Sequence, residues 1–335
     1  MPNIGTGTHF DFLFINDALS GDEGHFSNLR LVESRYRYSQ HSVKDYVKML
    51  QAVDSKIDWR YRVARWMLRV ADDFLLKRDT ALIALNYLDR RLMMAQREQL
   101  DRDKFQVSAI ACLFVASKIY QKRPLKIRQL VTYTKNAFQS EDILAMEQEL
   151  LRSHSSFFFP PTSSTFCSVL LSGLTSEPPA VITSVIESCQ FMSELAACDI
   201  FFVAHRASSI AVAAIVVSLE INSQVSEDAV TRCLASIKAN IDYTTDADVL
   251  ACIDKLRSVY SHNARRIKDM EDKSTDDEVA KYTTDKEADP NLSTRTATPS
   301  PTDPCQHNSD KTSSPPIIAD KGAYSSESRK RQRRL

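Results

Sequence analysis

Glycine is scarce in this sequence. The 335 residues include six glycines, and between Gly24 and Gly322 the only one is Gly173. Phosphate-binding loops of nucleotide-dependent enzymes need several glycines in a short stretch, and tight β-hairpins commonly turn on glycine. The body of the chain therefore excludes P-loop nucleotide hydrolases, dinucleotide-binding enzymes and protein kinases.

Proline is also rare outside the ends of the chain. Between residues 2 and 290, prolines occur at 124, 160, 161, 178 and 179 only. Glycine and proline are the two residues that break helices most strongly. Long stretches without either residue predict a body that is almost entirely α-helical.

Paired cysteines are missing as well. The seven cysteines are odd in number, include no CxxC pair and lie mostly within apolar helical patterns. This usage is typical of reduced thiols in a core rather than of a disulfide framework or a zinc site. We therefore expect no metal and no other cofactor.

Neither positive nor negative charge is in excess, because 43 basic residues balance 43 acidic residues. No overall field attracts the chain to nucleic acid or to an anionic membrane. No apolar run approaches the roughly 20 residues that span a bilayer, and residues 1–14 lack the basic and apolar segments of a secretion signal. We expect a soluble, non-secreted protein that contacts neither nucleic acid nor membrane directly.

Apolar residues recur at helical spacing through the first half of the chain. The pattern predicts helices that begin near residues 58, 79, 103, 125 and 140, with a short helix before them near 41–53. Residues 103–120 are apolar on nearly every side and rich in small side chains, which predicts a helix surrounded by others. Pro160 and Pro161 then end this first unit.

The second half repeats the plan of the first. Helical patterns at 162–172, 180–197, 201–221, 226–239 and 246–260 again number five, and the third is again the most apolar. A duplicated five-helix unit is the simplest interpretation. The predicted fold class is therefore all-α, with a flexible arm at 1–40, five-helix units at 41–159 and 160–265, and a tail.

The tail, residues 271–335, is rich in Ser, Thr, Asp, Lys and Pro. Such a composition buries too little apolar surface to offset the entropy of ordering, which predicts disorder. Thr298, Ser300 and Ser314 each precede proline and are candidate phosphorylation sites, although such pairs are frequent in any disordered tail. The basic end consists of Arg329, Lys330, Arg331, Arg333 and Arg334. It is typical of a nuclear import signal, although it also suits a solubilising terminus, and it predicts a nuclear protein with a share in the cytoplasm.

Four segments carry a family resemblance. RYRVARWMLRVADDFLL, LIALNYLDRRL, IACLFVASKIY and ILAMEQELL, followed by FPPTSSTF, resemble the N-terminal box of cyclins in order and spacing. The resemblance covers about residues 45–262 and mixes B-type with D-type features. Cyclins consist of two five-helix boxes, which agrees with the duplication inferred from the periodicity.

This resemblance implies a function without catalysis. It implies a cyclin, the regulatory subunit that binds and activates a cyclin-dependent serine/threonine kinase and controls cell-cycle progression and division. The family's kinase contacts correspond to Lys118 and Glu147, although a lysine at a helix end and a solvated glutamate are the plain alternative. A transcription-associated cyclin-box protein and a kinase-independent scaffold remain alternative functions.

The family's substrate-docking patch has partial counterparts here. The matching positions are Trp59, Val63, Trp66, Arg102 and Gln106. Arg62 and Arg65 replace the apolar and acidic residues usual in that patch, and core packing is the alternative role for both tryptophans. Kinase substrates and inhibitors are accordingly further expected partners.

Overall fold

A computed structural model describes residues 23–51, 56–94, 101–154, 158–174 and 176–263. Within these ranges the regular secondary structure is α-helix, with two short 3₁₀ segments and no strand. The all-α prediction is confirmed. Thr298, Ser300, Ser314 and the basic end at 329–334 lie outside the described residues.

The first group of helices covers residues 23–154 of the chain. The helices are α1 (Glu23–Tyr36), α2 (Gln40–Gln51), α3 (Lys56–Asp73), α4 (Arg78–Met94), α5 (Arg102–Tyr120), α6 (Ile127–Tyr133) and α7 (Ser140–His154). We call α3 to α7 the first bundle.

The second group corresponds to the repeated pattern. It comprises α8 (Ser163–Leu170), a 3₁₀ segment (Leu171–Leu174), α9 (Pro179–Cys198), a 3₁₀ segment (Ile200–Ala204), α10 (Ala207–Ile221), α11 (Glu227–Asn240) and α12 (247–263). We call these elements the second bundle. The described residues up to Val259 belong to one compact unit, and residues 260–263 belong to a second unit.

Helix α5 is the centre of the first bundle. Every residue from Phe105 to Ser117 is buried, and the helix packs against α4 and α7. Small side chains such as Ala109 and Ala116 let these neighbours approach closely. Asp101 caps the helix start by accepting a hydrogen bond from the Lys104 N–H at 2.8 Å.

Helix α1 lies within residues 1–40, where a flexible arm was predicted, and corrects that prediction for residues 23–36. Residues 23–36 are helical, and Phe26 is buried with its ring 5.9 Å from that of Phe166. The Glu33 carboxylate accepts hydrogen bonds from the N–H (2.7 Å) and hydroxyl (2.9 Å) of Ser208 at the start of α10. Contacts with residues far away in sequence therefore stabilise α1, and these contacts leave no periodic signal.

A residue with a left-handed backbone conformation, Leu75, follows the end of helix α3. The Leu76 N–H donates to the Ala71 carbonyl at 2.8 Å and the Leu75 N–H donates to the Asp72 carbonyl at 3.2 Å, which is the Schellman arrangement. Leu75 itself has φ of 53° and is 83% exposed. The turn directs the chain from α3 into α4.

Candidate functional site

Lys118 and Glu147 meet at the surface of the first bundle. Lys118 lies in the last turn of α5, and Glu147 lies midway along α7. The Lys118 Nζ donates to both carboxylate oxygens of Glu147, at 2.6 and 2.9 Å. Nζ also lies 3.9 Å from the centroid of the Phe114 ring, a distance that gives a cation–π contact. The two predicted site residues are therefore in direct contact.

The two members of this pair differ in exposure. The side chain of Lys118 is 41% exposed, whereas that of Glu147 is 11% exposed. Its charge-assisted hydrogen bonds to a buried carboxylate fix the Lys118 ammonium group in one place. An ammonium has three N–H donors, so a donor remains for a partner after the two bonds to Glu147. The arrangement suits recognition of a carbonyl or carboxylate on another protein.

Exposed apolar side chains accompany the pair. Leu144 and Leu151 lie one turn before and one turn after Glu147 on α7, and they are 41% and 44% exposed. Ile119, the neighbour of Lys118, is 37% exposed. A central polar pair among apolar side chains is a common composition of protein interfaces. We call this group, with Lys118 and Glu147, the α5–α7 face.

The five docking-patch residues do not form an exposed set. Val63 is 1%, Trp66 4% and Gln106 7% exposed, and the Trp66 ring packs 6.4 Å from Tyr133. Trp59 is half-buried against Phe105, with ring centroids 5.8 Å apart. Arg102 lies half-buried in the first turn of α5. Core packing therefore accounts for the burial of Val63 and Trp66.

The two arginines that depart from the family pattern, Arg62 and Arg65, are both half-buried on α3. The Arg62 side chain is 42% exposed and lies 3.9 Å from an Asp58 oxygen. Arg65 lies over the Tyr61 ring, with its guanidinium carbon 5.6 Å from the centroid. Both contacts lie within the helix, between residues one turn apart.

Two ionic clusters between the bundles were not predicted. Arg60 donates to both oxygens of Asp89 at 2.9 and 2.8 Å, and to the carbonyl of Ala197 in α9 at 3.0 Å. Arg78 binds Asp72 and also Glu194 of α9, with one of the Glu194 contacts at 2.6 Å. The sequence signal was a charged residue inside an apolar stretch, as with Asp89 in NYLDR.

One known protein family matches the sequence of the first bundle. Residues 25–153 match the family described as cyclin, N-terminal domain. The chain contains a cyclin N-terminal domain. Its first bundle, with the α5–α7 face, lies inside the matched region, so the resemblance inferred from the sequence is confirmed.

Relatives extend the match beyond this domain. G1/S-specific cyclin-D2 of Gallus gallus is 28% identical over 260 residues, which cover 76% of this chain and 84% of the relative. G1/S-specific cyclin-D1 of Homo sapiens is 29% identical over 160 residues, which cover 47% of this chain and 52% of the relative. The match therefore spans most of the length of the first protein and about half of the second.

A solved structure shares the fold. The viral cyclin from herpesvirus saimiri superimposes with a TM-score of 0.56 at 17% identity, over 71% of this chain and 99% of the viral chain. At this identity the likeness concerns the fold. It shows that the cyclin fold extends beyond the N-terminal domain into the second bundle.

The described residues include no group of three or more His, Cys, Asp or Glu side chains placed to hold a metal ion. His205 is bonded to Asp248 through Nδ1 at 2.7 Å and stacks 4.5 Å from the Phe201 ring. No helix in the described ranges has the length and apolarity to cross a bilayer.

Proposed function

We propose that this protein is a cyclin, a non-catalytic regulatory subunit that binds and activates a cyclin-dependent serine/threonine kinase and so controls cell-cycle progression. The cyclin N-terminal domain and the likeness to G1/S-specific D-type cyclins support this function. The observation that carries it is the Lys118–Glu147 pair, which is preformed on a partly apolar surface.

Activation by such a subunit is a shift between two kinase states. A protein kinase is active when its own Lys–Glu pair and its activation loop are correctly placed. A partner that binds the active state more tightly than the inactive state shifts the equilibrium towards the active state. The size of the shift equals the difference between the two binding free energies. The cyclin contributes contacts on the α5–α7 face and no reacting group.

The first test removes both charges of the pair. Lys118→Ala with Glu147→Ala should weaken kinase binding by at least about tenfold, since a desolvated charge pair at an interface is costly to lose. Removing both partners leaves no unpaired buried carboxylate, so the fold should be retained. Binding is measured by titration against purified cyclin-dependent kinases, and activity by phosphate transfer to a peptide.

Two further variants make this test specific. The exchange Lys118→Glu with Glu147→Lys keeps an ion pair but reverses it, and it should also lose binding. Arg257→Ala with Glu220→Ala removes a pair in the second bundle whose side chains are 47% and 42% exposed, and it should leave binding unchanged. A folded double-alanine variant that activates the kinase fully would contradict the assignment of these two residues.

A further inference from the structure

The connection between α5 and α6 is strongly basic. Residues 104–140 contain seven Lys or Arg and no Asp or Glu, although the whole chain carries 43 basic and 43 acidic residues. Four of these seven cations are Lys122, Arg123, Lys126 and Arg128. We call residues 121–128 the basic segment. Its positive charge is therefore a local property of a chain that is neutral overall.

The four cations of the basic segment are exposed and lack counter-ions. All four side chains face water, and no ion pair joins any of them to an acidic residue in the described part of the chain. The exposed Arg257 of the second bundle, by contrast, is paired with Glu220. Unpaired surface cations attract an anionic partner, and no existing ion pair has to break when that partner binds.

The backbone of the basic segment is held against the end of α5. The Gln121 N–H donates to the Ser117 carbonyl at 3.1 Å, and the Gln121 side-chain amide donates to the Thr80 hydroxyl at 2.5 Å. Leu125 is buried, and its N–H donates to the Ser117 hydroxyl at 3.2 Å. An ordered backbone presents the cations in fixed positions, which lowers the entropy lost on binding.

Ser117 joins the basic segment to the charged pair of the α5–α7 face. It directly precedes Lys118, and its hydroxyl is the acceptor for the Leu125 N–H. Arg123 lies two positions before Leu125, and Lys126 directly follows it. Consecutive Cα atoms are about 3.8 Å apart, so the backbone of both cations lies within about 8 Å of that of Leu125. A partner that covers Lys118 therefore comes close to both cations.

Acidic side chains on the adjoining elements have other partners. Asp73 accepts a hydrogen bond from the hydroxyl of Tyr133 at the end of α6. Asp142, in the first turn of α7, accepts from the Gln139 N–H at 2.9 Å. Neither contact involves the basic segment, so its charge is available to another molecule.

We propose that the basic segment binds an acidic region of the partner kinase, beside the site that receives Lys118, and that its charge speeds association. This inference rests on the proposed function. A second copy of this chain is a less suitable occupant, because a two-fold contact would oppose the same cations. Nucleic acid is also less suitable, because its phosphate backbone would leave the neighbouring apolar side chain of Ile119 uncovered.

The first test neutralises two cations of the basic segment in the full-length chain. Arg123→Gln with Lys126→Gln should lower the association rate constant for the purified kinase that the wild type activates by about three- to tenfold at low salt. Arg232→Gln with Lys238→Gln is the matched control, since it also removes one exposed arginine and one exposed lysine, from α11. The control should change the rate constant by less than about twofold. Circular dichroism should be the same for both variants, because none of these side chains is buried.

Salt dependence distinguishes an electrostatic role from a packing role. The association rate of the wild type should fall more steeply with added sodium chloride than that of Arg123→Gln with Lys126→Gln, and the two rates should converge near 1 M salt, where the screening length is about 3 Å. Arg123→Glu with Lys126→Glu should slow association further than the neutral variant. A loss of rate that is equal at all salt concentrations would overturn the proposed role of charge.

The outcomes separate this inference from the proposed function. A wild type that binds and activates a kinase, with the neutralised variant equal to the control, would overturn the role of the basic segment and leave the function standing. A wild type that binds none of the purified cyclin-dependent kinases would overturn the function. Binding of a single-stranded oligonucleotide that neutralisation abolishes, with the kinase association rate unchanged, would assign the segment to nucleic acid and also overturn the inference.

Discussion

Leu75 occupies a backbone position that glycine fills with less strain. Its φ of 53° places it in the left-handed region, at the residue that follows the cap of a Schellman motif. A Cβ in this conformation costs about 1–2 kcal/mol. The side chain is 83% exposed, so little burial offsets that cost.

We predict that Leu75→Gly raises the free energy of unfolding by about 0.5–1 kcal/mol, because relief of the strain exceeds the extra entropy of glycine in the unfolded chain. Urea unfolding followed by circular dichroism measures the change. Leu75→Ala is the control, since it shortens the side chain but keeps Cβ. A glycine variant no more stable than the alanine variant would show that the turn is not strained.

At the scale of single elements, the start of α4 in the first bundle lies against the start of α8 in the second bundle. Asp79 lies in the first turn of α4, and burial raises the pKa of its carboxyl group, an effect that the hydroxyls of Thr162 and Ser164 partly oppose. Thr162 caps α8 by accepting from the Thr165 N–H at 3.2 Å. Asp79 Oδ1 has no hydrogen-bond partner among the described residues.

We predict that Asp79→Asn stabilises the protein at neutral pH. A carboxyl whose pKa is raised by folding opposes folding once it is ionised, so the wild type gains stability as the pH falls from its raised pKa towards the value of about 3.9 in the unfolded chain. The difference between Asp79→Asn and the wild type should therefore shrink over that range. Thermal unfolding measured between neutral and acidic pH tests this, and an Asn variant less stable at pH 7 would contradict it.

Strongly periodic helices could be predicted from the sequence, whereas α1 could not. The small apolar residues of α5 and α10 identify them as central because no side of either helix is polar. In α1 the residues that anchor the helix are Phe26 and Glu33, and their partners are Phe166 and Ser208. A buried glutamate resembles a surface residue until its partner, 175 positions away, is known.

The candidate site was only partly predictable. The resemblance identified Lys118 and Glu147, while residue type alone favoured a helix-end lysine and a solvated carboxylate. Burial of Glu147 depends on the packing of α7 against α5, and no local pattern reports it.

At the scale of the whole molecule, ionic contacts join the two bundles. Arg78 extends from α4 to Glu194 of α9, and both side chains are largely buried, at 14% and 8% exposure. Arg60 makes a comparable connection to the carbonyl of Ala197. Removal of one member of such a pair leaves a buried charge without compensation.

We predict that Arg78→Met lowers the free energy of unfolding by about 3–5 kcal/mol, because Glu194 and Asp72 lose their shared cation. Arg78→Met combined with Glu194→Leu should recover part of this loss, since it removes the buried carboxylate as well. Equilibrium unfolding in urea measures all three proteins. If the free energy of unfolding of Arg78→Met lies within about 0.5 kcal/mol of the wild-type value, the Arg78–Glu194 pair contributes no more than an exposed ion pair, which would contradict the prediction.

Both tryptophans of the chain lie on α3, Trp66 within the core of the first bundle and Trp59 against its edge. Tryptophan fluorescence therefore reports the state of one bundle without any label, while far-ultraviolet circular dichroism reports the helices of both. Recorded on the same sample, the two signals distinguish concerted unfolding from sequential unfolding. The distribution of two side chains thus equips the protein with a built-in optical probe of cooperativity between its halves.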